Sequence, residues 1–373
     1  MSDATEAPLP PAADLGQLGW LRRSGRDPRT PSGHVISRIA VTHRGAYELA
    51  DERGGMRAAL DAAVRDAARS PLDYPTVGDW VVRSREPRHN QRVVITEVLE
   101  RTSLLCRRAV GPRVQPQLVA ANADVLAIVT TPDERASIGT NDAASIGRRI
   151  EWYLTAAFSG GVRPVIVVNK TDTVSNAKRE AIVSALRRRL GAAAADVPIL
   201  ATSAVDGRGL DELGALTADG ATVALSGPSG VGKSSLANRL AGADMVPVAP
   251  LSPDGRGRHT TVRRQLVAVG DAAGGTLVDT PGLQDLIPWG GSLGLRHSVG
   301  THDGVALTFS DIAEFARRCR FADCAHTIEP DCAVVAAAEA GRLPAERLST
   351  YRELVADMAA IELYGSSKAT GPR

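Results

Sequence analysis

The run GPSGVGKSS, from Gly227 to Ser235, matches the spacing G-x-x-x-x-G-K-[ST]. The glycines of such a loop let backbone amides wrap phosphate groups at the positive end of a helix. In this pattern Gly227, Gly230, Val231 and Gly232 shape the loop and Ser235 follows within the cradle. The Lys233 ammonium reaches the β and γ phosphates, and Ser234 ligates magnesium. A phosphate loop serves ATP and GTP alike, so the base must be chosen elsewhere. Asn169-Lys170-Thr171-Asp172 gives the N-K-x-D pattern. There the Asp172 carboxylate can accept from the guanine N1 and N2 hydrogens while Asn169 braces neighbouring loops. Adenine has no matching pair of donors, which disfavours an ATP-using enzyme. Ala201-Thr202-Ser203-Ala204 suits a backbone amide, that of Ala204, for the guanine O6. Asp279-Thr280-Pro281-Gly282 places Asp279 to hold magnesium through water and the Gly282 amide to sense the γ phosphate.

The elements needed to hold these groups are legible around them. Buried runs DVLAIVTT, RPVIVVN, VPILATS and ATVALSG read as strands, and RRQLVAVG and GTLVDTPG as two more. Helices are expected near 143–159, 176–190 and 210–216 and opening at Lys233, so parallel strands covered by helices should result. Each nucleotide motif then follows a strand. Their order is rotated: Asn169 and Ser203 precede Gly227, and Asp279 trails them, whereas an ordinary GTPase begins with its phosphate loop. The domain is therefore expected to be circularly permuted, with new chain ends just after Gly282.

Many GTPases place a water-orienting glutamine immediately after the D-x-x-G glycine. Leu283 stands there, with Gln284 one residue later. His259, between Arg258 and Thr260, is the best substitute for catalysis; the alternatives are an exposed side chain or an RNA contact. In the same loop Thr261 is preferred over Thr260 to complete the magnesium shell. Leu283 keeps a second function class open, a nucleotide-gated binding module with negligible turnover.

Cys319, Cys324, His326 and Cys332 form C-x4-C-x-H-x5-C, a complete set for one tetrahedral structural zinc with no position left for water. A disulfide or buried free thiols are the alternatives. Cys106 stands apart and reads as a core residue. Ahead of the α/β region, VISRIAVT, VGDWVV and RVVITEVLE are spaced as in a small OB-type barrel, with a short helix expected over 56–70. The chain thus divides into a disordered tail (1–33, rich in Pro, Ala, Gly and Arg), an all-β OB-fold domain (34–112), a permuted α/β P-loop GTPase domain (113–290) and a helical zinc-binding domain (291–373). At 373 residues, three folded domains suit the length. A net charge of +2 names no partner. No secretory signal or membrane-spanning run is evident, so a cytoplasmic monomer is expected. Arg101, Arg107, Arg108 and Arg113 cluster near the barrel's end and could contact phosphates, though a solvated charged face would look the same.

VGDWV at Val77–Val81, QLVAANAD ending at Asp124, the rotated motifs, GRGRHTT at Gly255–Thr261 and CRFADCAHTIEPDCAV from Cys319 together resemble the ribosome small-subunit-dependent GTPase A family (RsgA, also called YjeQ). The resemblance covers about residues 35–365 and departs from the family pattern between Trp289 and Ala306. It implies the same three-part architecture, Mg2+ with GTP or GDP, one structural zinc, and a histidine in the loop that closes over the phosphates. It further implies binding to the small (30S) ribosomal subunit and its rRNA and a role in late subunit maturation.

Overall fold

The computed structural model describes residues 13–20, 32–43, 45–87, 92–109, 115–132, 143–191, 196–242, 264–269, 274–280, 288–289 and 304–369, with backbone alone for 143–145 and 362–369. Five strands close an N-terminal barrel: β1 (His34–His43), β2 (Ala46–Ala50), β3 (Met56–Leu60), β4 (Trp80–Ser84) and β5 (Val93–Val98). β1 pairs with both β2 and β4, β3 with β2 and β5, and β4 with β5, so no edge is left open. Ile39, Leu49, Ala58, Val81 and Ile95 fill the interior. The helix expected over 56–70 is corrected: Met56–Leu60 is a strand, and only Ala62–Ala67 (α1) is helical. Pairing on both sides outweighs the helix propensity of MRAAL, and Asp61 then caps α1 by accepting from the Ala63 amide at 2.9 Å.

The central sheet holds β8 (Val125–Thr130), β9 (Arg163–Val168), β10 (Ile199–Ala201), β11 (Thr222–Ser226), β12 (Gln265–Ala268) and β13 (Thr276–Asp279) in the order β10-β9-β8-β11-β13-β12. The first five in that order are parallel, and β12 is antiparallel to β13. Helices α2 (Ala143–Ser159) and α3 (Asn176–Leu190) supply core residues on one face, and α4 (Leu210–Ala215) and α5 (Lys233–Ala241) on the other. Covering both faces explains why β8 is buried at every position and reads as an unbroken apolar run. A hairpin of β6 (Leu104–Arg108) and β7 (Pro116–Ala121) bridges barrel and sheet, its ladder running across the expected boundary at 112.

Barrel and sheet are continuous, because β1 also pairs with β12 through Val41 and Gln265. The tail reading is corrected for residues 13–20. Leu18 is buried and Trp20 packs edge-on against Trp80 at 5.0 Å between ring centroids. The Arg38 guanidinium lies over Trp80 and donates to the carbonyls of Leu18, Gly78 and Asn122. Two large apolar side chains and a buried arginine hold a segment that shows no periodicity.

The C-terminal region is helical: α6 (Gly304–Thr308), α7 (Ser310–Ala316), α8 (Ala333–Glu339) and α9 (Ala345–Ala369). Its core includes Phe309, Cys332 and Leu348, together with Trp152 from α2. No described helix is long and apolar enough to cross a membrane.

Candidate active site and metal centre

The nucleotide motifs meet at the carboxyl ends of parallel strands, where α/β sheets bind ligands. β11 ends at Ser226 and delivers Gly227; β9 delivers Asn169; β10 delivers Ser203; β13 ends on Asp279. The phosphate loop requires its glycines sterically. Gly227 has φ 149° and a Cβ there would lie 2.2 Å from the Val129 carbonyl oxygen; Gly232 has φ 95° and a Cβ would lie 2.4 Å from Asn169 Nδ2. Gly230, Val231 and Gly232 then lead directly into α5, which opens at Lys233, with Ser234 and Ser235 in its first turn. Lys233 Nζ donates to the Gly227 and Pro228 carbonyls at 2.9 and 2.8 Å, folded back over the loop. Burial pushes its ammonium down to about 8, partly offset by Asp279. Asp279 is itself buried and pushed up to about 6 by desolvation, opposed by Lys233 and by Ser234. Ser234 Oγ donates to Asp279 Oδ2 at 3.0 Å, while Asp279 Oδ1 is buried with no hydrogen-bond partner among the described residues. An orphaned carboxylate oxygen beside the serine hydroxyl fits a hydrated magnesium ion.

The base-side motifs are joined to this loop. Asn169 Nδ2 donates to the Val231 carbonyl at 2.8 Å, and Thr202 Oγ1 donates to Asn169 Oδ1 at 3.3 Å. Lys170, left-handed at φ 60°, sends its Nζ to the Gly230 carbonyl at 2.6 Å. Thr171 Oγ1 donates to the Thr202 carbonyl, tying N-K-x-D to the next strand. Asp172 is exposed in the short 3-10 turn Thr171–Thr173. Ser203 is buried, and its hydroxyl accepts from the Val205 and Asp206 amides, which fixes the turn carrying Ala204. Asn169 thus links the N-K-x-D loop to the phosphate loop. The Lys170 contact with the phosphate loop and the Thr202 and Thr171 links were not read from the sequence, although the lysine of N-K-x-D signals the first. His259, Thr261 and Gly282, with Leu283 and Gln284, lie outside the described residues.

In the C-terminal region the four ligand atoms of Cys319, Cys324, His326 and Cys332 all lie within 4.8 Å of one another. Cys319 Sγ and Cys332 Sγ are 3.9 Å apart, and each is 3.6 or 3.5 Å from His326 Nδ1. A disulfide needs about 2.05 Å, whereas bonds of about 2.3 Å to a tetrahedral zinc put sulfurs about 3.8 Å apart. The donor set fits zinc. Val335 N–H donates to Cys332 Sγ at 3.5 Å at the start of α8, and Arg352 holds the His326 carbonyl.

A sequence profile of the RsgA GTPase family matches residues 98–288, which hold the rotated motifs described above. The chain belongs to the RsgA GTPase family. It is 35% identical over 328 residues to "Small ribosomal subunit biogenesis GTPase RsgA 2" of Lactiplantibacillus plantarum, covering 88% of this chain and 84% of that protein. A Streptomyces avermitilis protein named "Small ribosomal subunit biogenesis GTPase RsgA" is 37% identical, with 88% and 80% covered. The fold is similar to that of YjeQ from Thermotoga maritima, with a TM-score of 0.55 at 24% identity over 87% of this chain and 99% of that one. It is likewise similar to YloQ, described as a circularly permuted GTPase (TM-score 0.53, 24% identity, 93% and 100% covered).

As an RsgA-family member the chain is a GTP-hydrolysing enzyme, and its permutation has a structural basis. In space β11 lies between β8 and β13, but in sequence β8, β9 and β10 precede it. The link from α4 to β11 is short, so rotating the chain order leaves the RsgA-family site intact. Of the arginines expected near phosphates, Arg101 is committed elsewhere: it pairs with both Asp79 oxygens at 2.8 Å and donates to the Leu72 and Tyr74 carbonyls. Arg107 donates to Gln117 at 3.0 Å, and Arg113 lies outside the described residues. Cys106 is buried in β6, its thiol pushed up to about 12 by desolvation.

Proposed function

We propose that this enzyme hydrolyses GTP in the biogenesis of the small ribosomal subunit, docking on the 30S particle and its rRNA in the GTP state and leaving after hydrolysis. The observation that carries the hydrolytic part is the Asn169–Val231 and Lys170–Gly230 connection between guanine reader and phosphate loop, beside a buried aspartate with an orphaned oxygen. The ribosomal part rests on the names of relatives covered across most of both chains. In this reading Asp172 accepts from the base, Asn169 and Lys170 hold its loop, and the Ala204 amide, positioned by Ser203, meets O6. Gly227, Gly230, Val231, Gly232, Lys233, Ser234 and Ser235 cradle the phosphates, Lys233 exchanging its two carbonyl partners for phosphate oxygens. Bound magnesium would spread the charge of the β and γ phosphates. Ser234 and Thr261 would hold it, with Asp279 acting through water. Gly282 senses the γ phosphate, and His259 orients the attacking water. Zinc at Cys319, Cys324, His326 and Cys332 is structural. The protein works as a cytoplasmic monomer.

The test is phosphate release from GTP with and without purified small subunits, together with sedimentation of the protein with subunits in a non-hydrolysable GTP analogue. Subunit-stimulated turnover and analogue-dependent cosedimentation are expected. Turnover indifferent to subunits, with no cosedimentation, would sink the ribosomal assignment and leave the GTPase standing.

A further inference from the structure

The seam where the barrel's β1 meets β12 contains a cavity of about 320 Å³ that the nucleotide site does not use. Its lining among the described residues includes Thr42, Thr76, Gln115, Gln117 and Arg264, and no carboxylate. Arg264 stands immediately before β12 and makes no hydrogen bond or ion pair to any described residue, and its Nε is shut off from solvent. A guanidinium carries five donors and no acceptor, so leaving it desolvated and unpaired is costly. Packed beside it are a second arginine, Arg107, and the neutral Cys106 thiol. Burial and Arg107 pull Arg264 down to about 10, still protonated at neutral pH. Gln117 accepts from Arg107 through Oε1, which leaves its amide hydrogens for whatever enters. The pocket therefore presents a half-buried guanidinium, amide donors and two hydroxyls to one shared space.

We propose that this cavity is a phosphate-binding pocket, separate from the GTP site, in which Arg264 makes a charge-assisted, forked contact to the phosphate oxygens. The same chemistry could arrive as a phosphodiester of RNA or as a free phosphate ion. The pocket stands whether or not the ribosomal assignment holds. In sequence Arg264 lies three residues after Thr261 and immediately before β12.

The full-length protein, saturated with Mg2+ and GDP so that the nucleotide site is filled, would be titrated with inorganic phosphate against chloride at matched ionic strength. A single-stranded oligoribonucleotide would be titrated in parallel. Thermal unfolding and fluorescence anisotropy give the readouts, and Arg264→Gln is the variant. Removing an unpaired, half-buried charge is expected to raise the melting temperature of the variant in chloride. Binding of phosphate or of oligoribonucleotide should weaken about ten- to a hundred-fold, the scale of a lost charged hydrogen bond. Arg264-dependent binding of RNA identifies a backbone phosphate as the ligand, and Arg264-dependent binding of phosphate alone identifies a free anion. Equal affinity of wild type and variant for both probes, no binding of either, or a variant that melts earlier in chloride would overturn the proposal, the last by showing that the guanidinium serves packing.

Discussion

At the scale of single residues, the site stores its chemistry in groups whose charge is strained until a ligand arrives. Lys233 is held by two carbonyls where phosphates would give far stronger partners, and Asp279 is buried with one oxygen unmatched. A metal ion needs Asp279 ionised, and its carboxyl titrates at about 6 because burial favours the neutral form. The contribution of Mg2+ to GDP affinity should thus be complete above about pH 7 and fall away as pH drops through 6. GDP titrations with and without Mg2+ at pH 5.5 and 7.5 check this, and a magnesium effect equal at both would remove Asp279 from the metal's surroundings. Asp172 sits exposed at the other end of the site. Asp172→Asn should weaken GTP binding about ten- to a hundred-fold, since an amide presents donors to the guanine hydrogens, and should favour xanthine nucleotides instead. Unchanged GTP affinity in the variant would count against the guanine-reading role.

At the scale of elements, loops that must approach one another closely are joined by contacts only certain residues permit. Gly232→Ala would put a methyl 2.4 Å from the Asn169 amide at φ 95°, so the phosphate loop and the guanine reader must part. About 1–3 kcal/mol of strain follows, read as loss of GDP affinity with the far-ultraviolet spectrum unchanged. The cysteine loop converges in the same way, its four potential ligand atoms meeting at the start of α8. Metal analysis should give about one zinc per chain, and chelation should expose residues 319–332 to hydrogen exchange while GDP binding persists. These elements differ in how far they could be read from sequence. The α2 and α3 helices, the six central strands and the cysteine spacing were legible because both faces of the sheet are covered and nucleotide motifs follow four of the strands. The barrel was read less well. Strands β2 and β3 are short, and MRAAL carries more helix than strand propensity, so only pairing decides its state. Residues 13–20 escaped for a related reason: Leu18 and Trp20 are held by Arg38, Trp80 and the loop at Gly220, contacts with no local pattern.

At the scale of the molecule, three expected domains are fused more tightly than a division of the sequence suggests. The barrel continues the central sheet through Val41 and Gln265, and Arg38 reaches from β1 to Thr276 on β13, the strand that ends in Asp279. On the opposite side the helical region is fastened to α2 by a buried ionic cluster. Arg347, fully buried, donates to both Asp311 oxygens at 2.8 and 2.9 Å, to Glu151 of α2 at 2.9 Å and to the Thr308 carbonyl at 2.5 Å. Arg189 of α3 takes the other Glu151 oxygen at 3.1 Å and also donates to Thr350 of α9. Burial raises the Glu151 carboxyl, and Arg189 and Arg347 oppose that shift, so the carboxylate depends on both partners. Movement of the helical region away from α2 would have to break this cluster, leaving Glu151 with Arg189 alone. The expected behaviour is that α7 to α9 move as one body with α2. Arg347→Ala should therefore cost about 3–5 kcal/mol, the penalty for orphaning buried charge, while zinc content stays at one equivalent. In that variant, hydrogen exchange should quicken across residues 304–361 and at α2 together, with the phosphate loop unchanged. Distances between labels at Arg148 and Arg342 in the intact protein should also be the same with GDP and with a GTP analogue. A distance that changes between the two nucleotides would show that the cluster opens during the cycle.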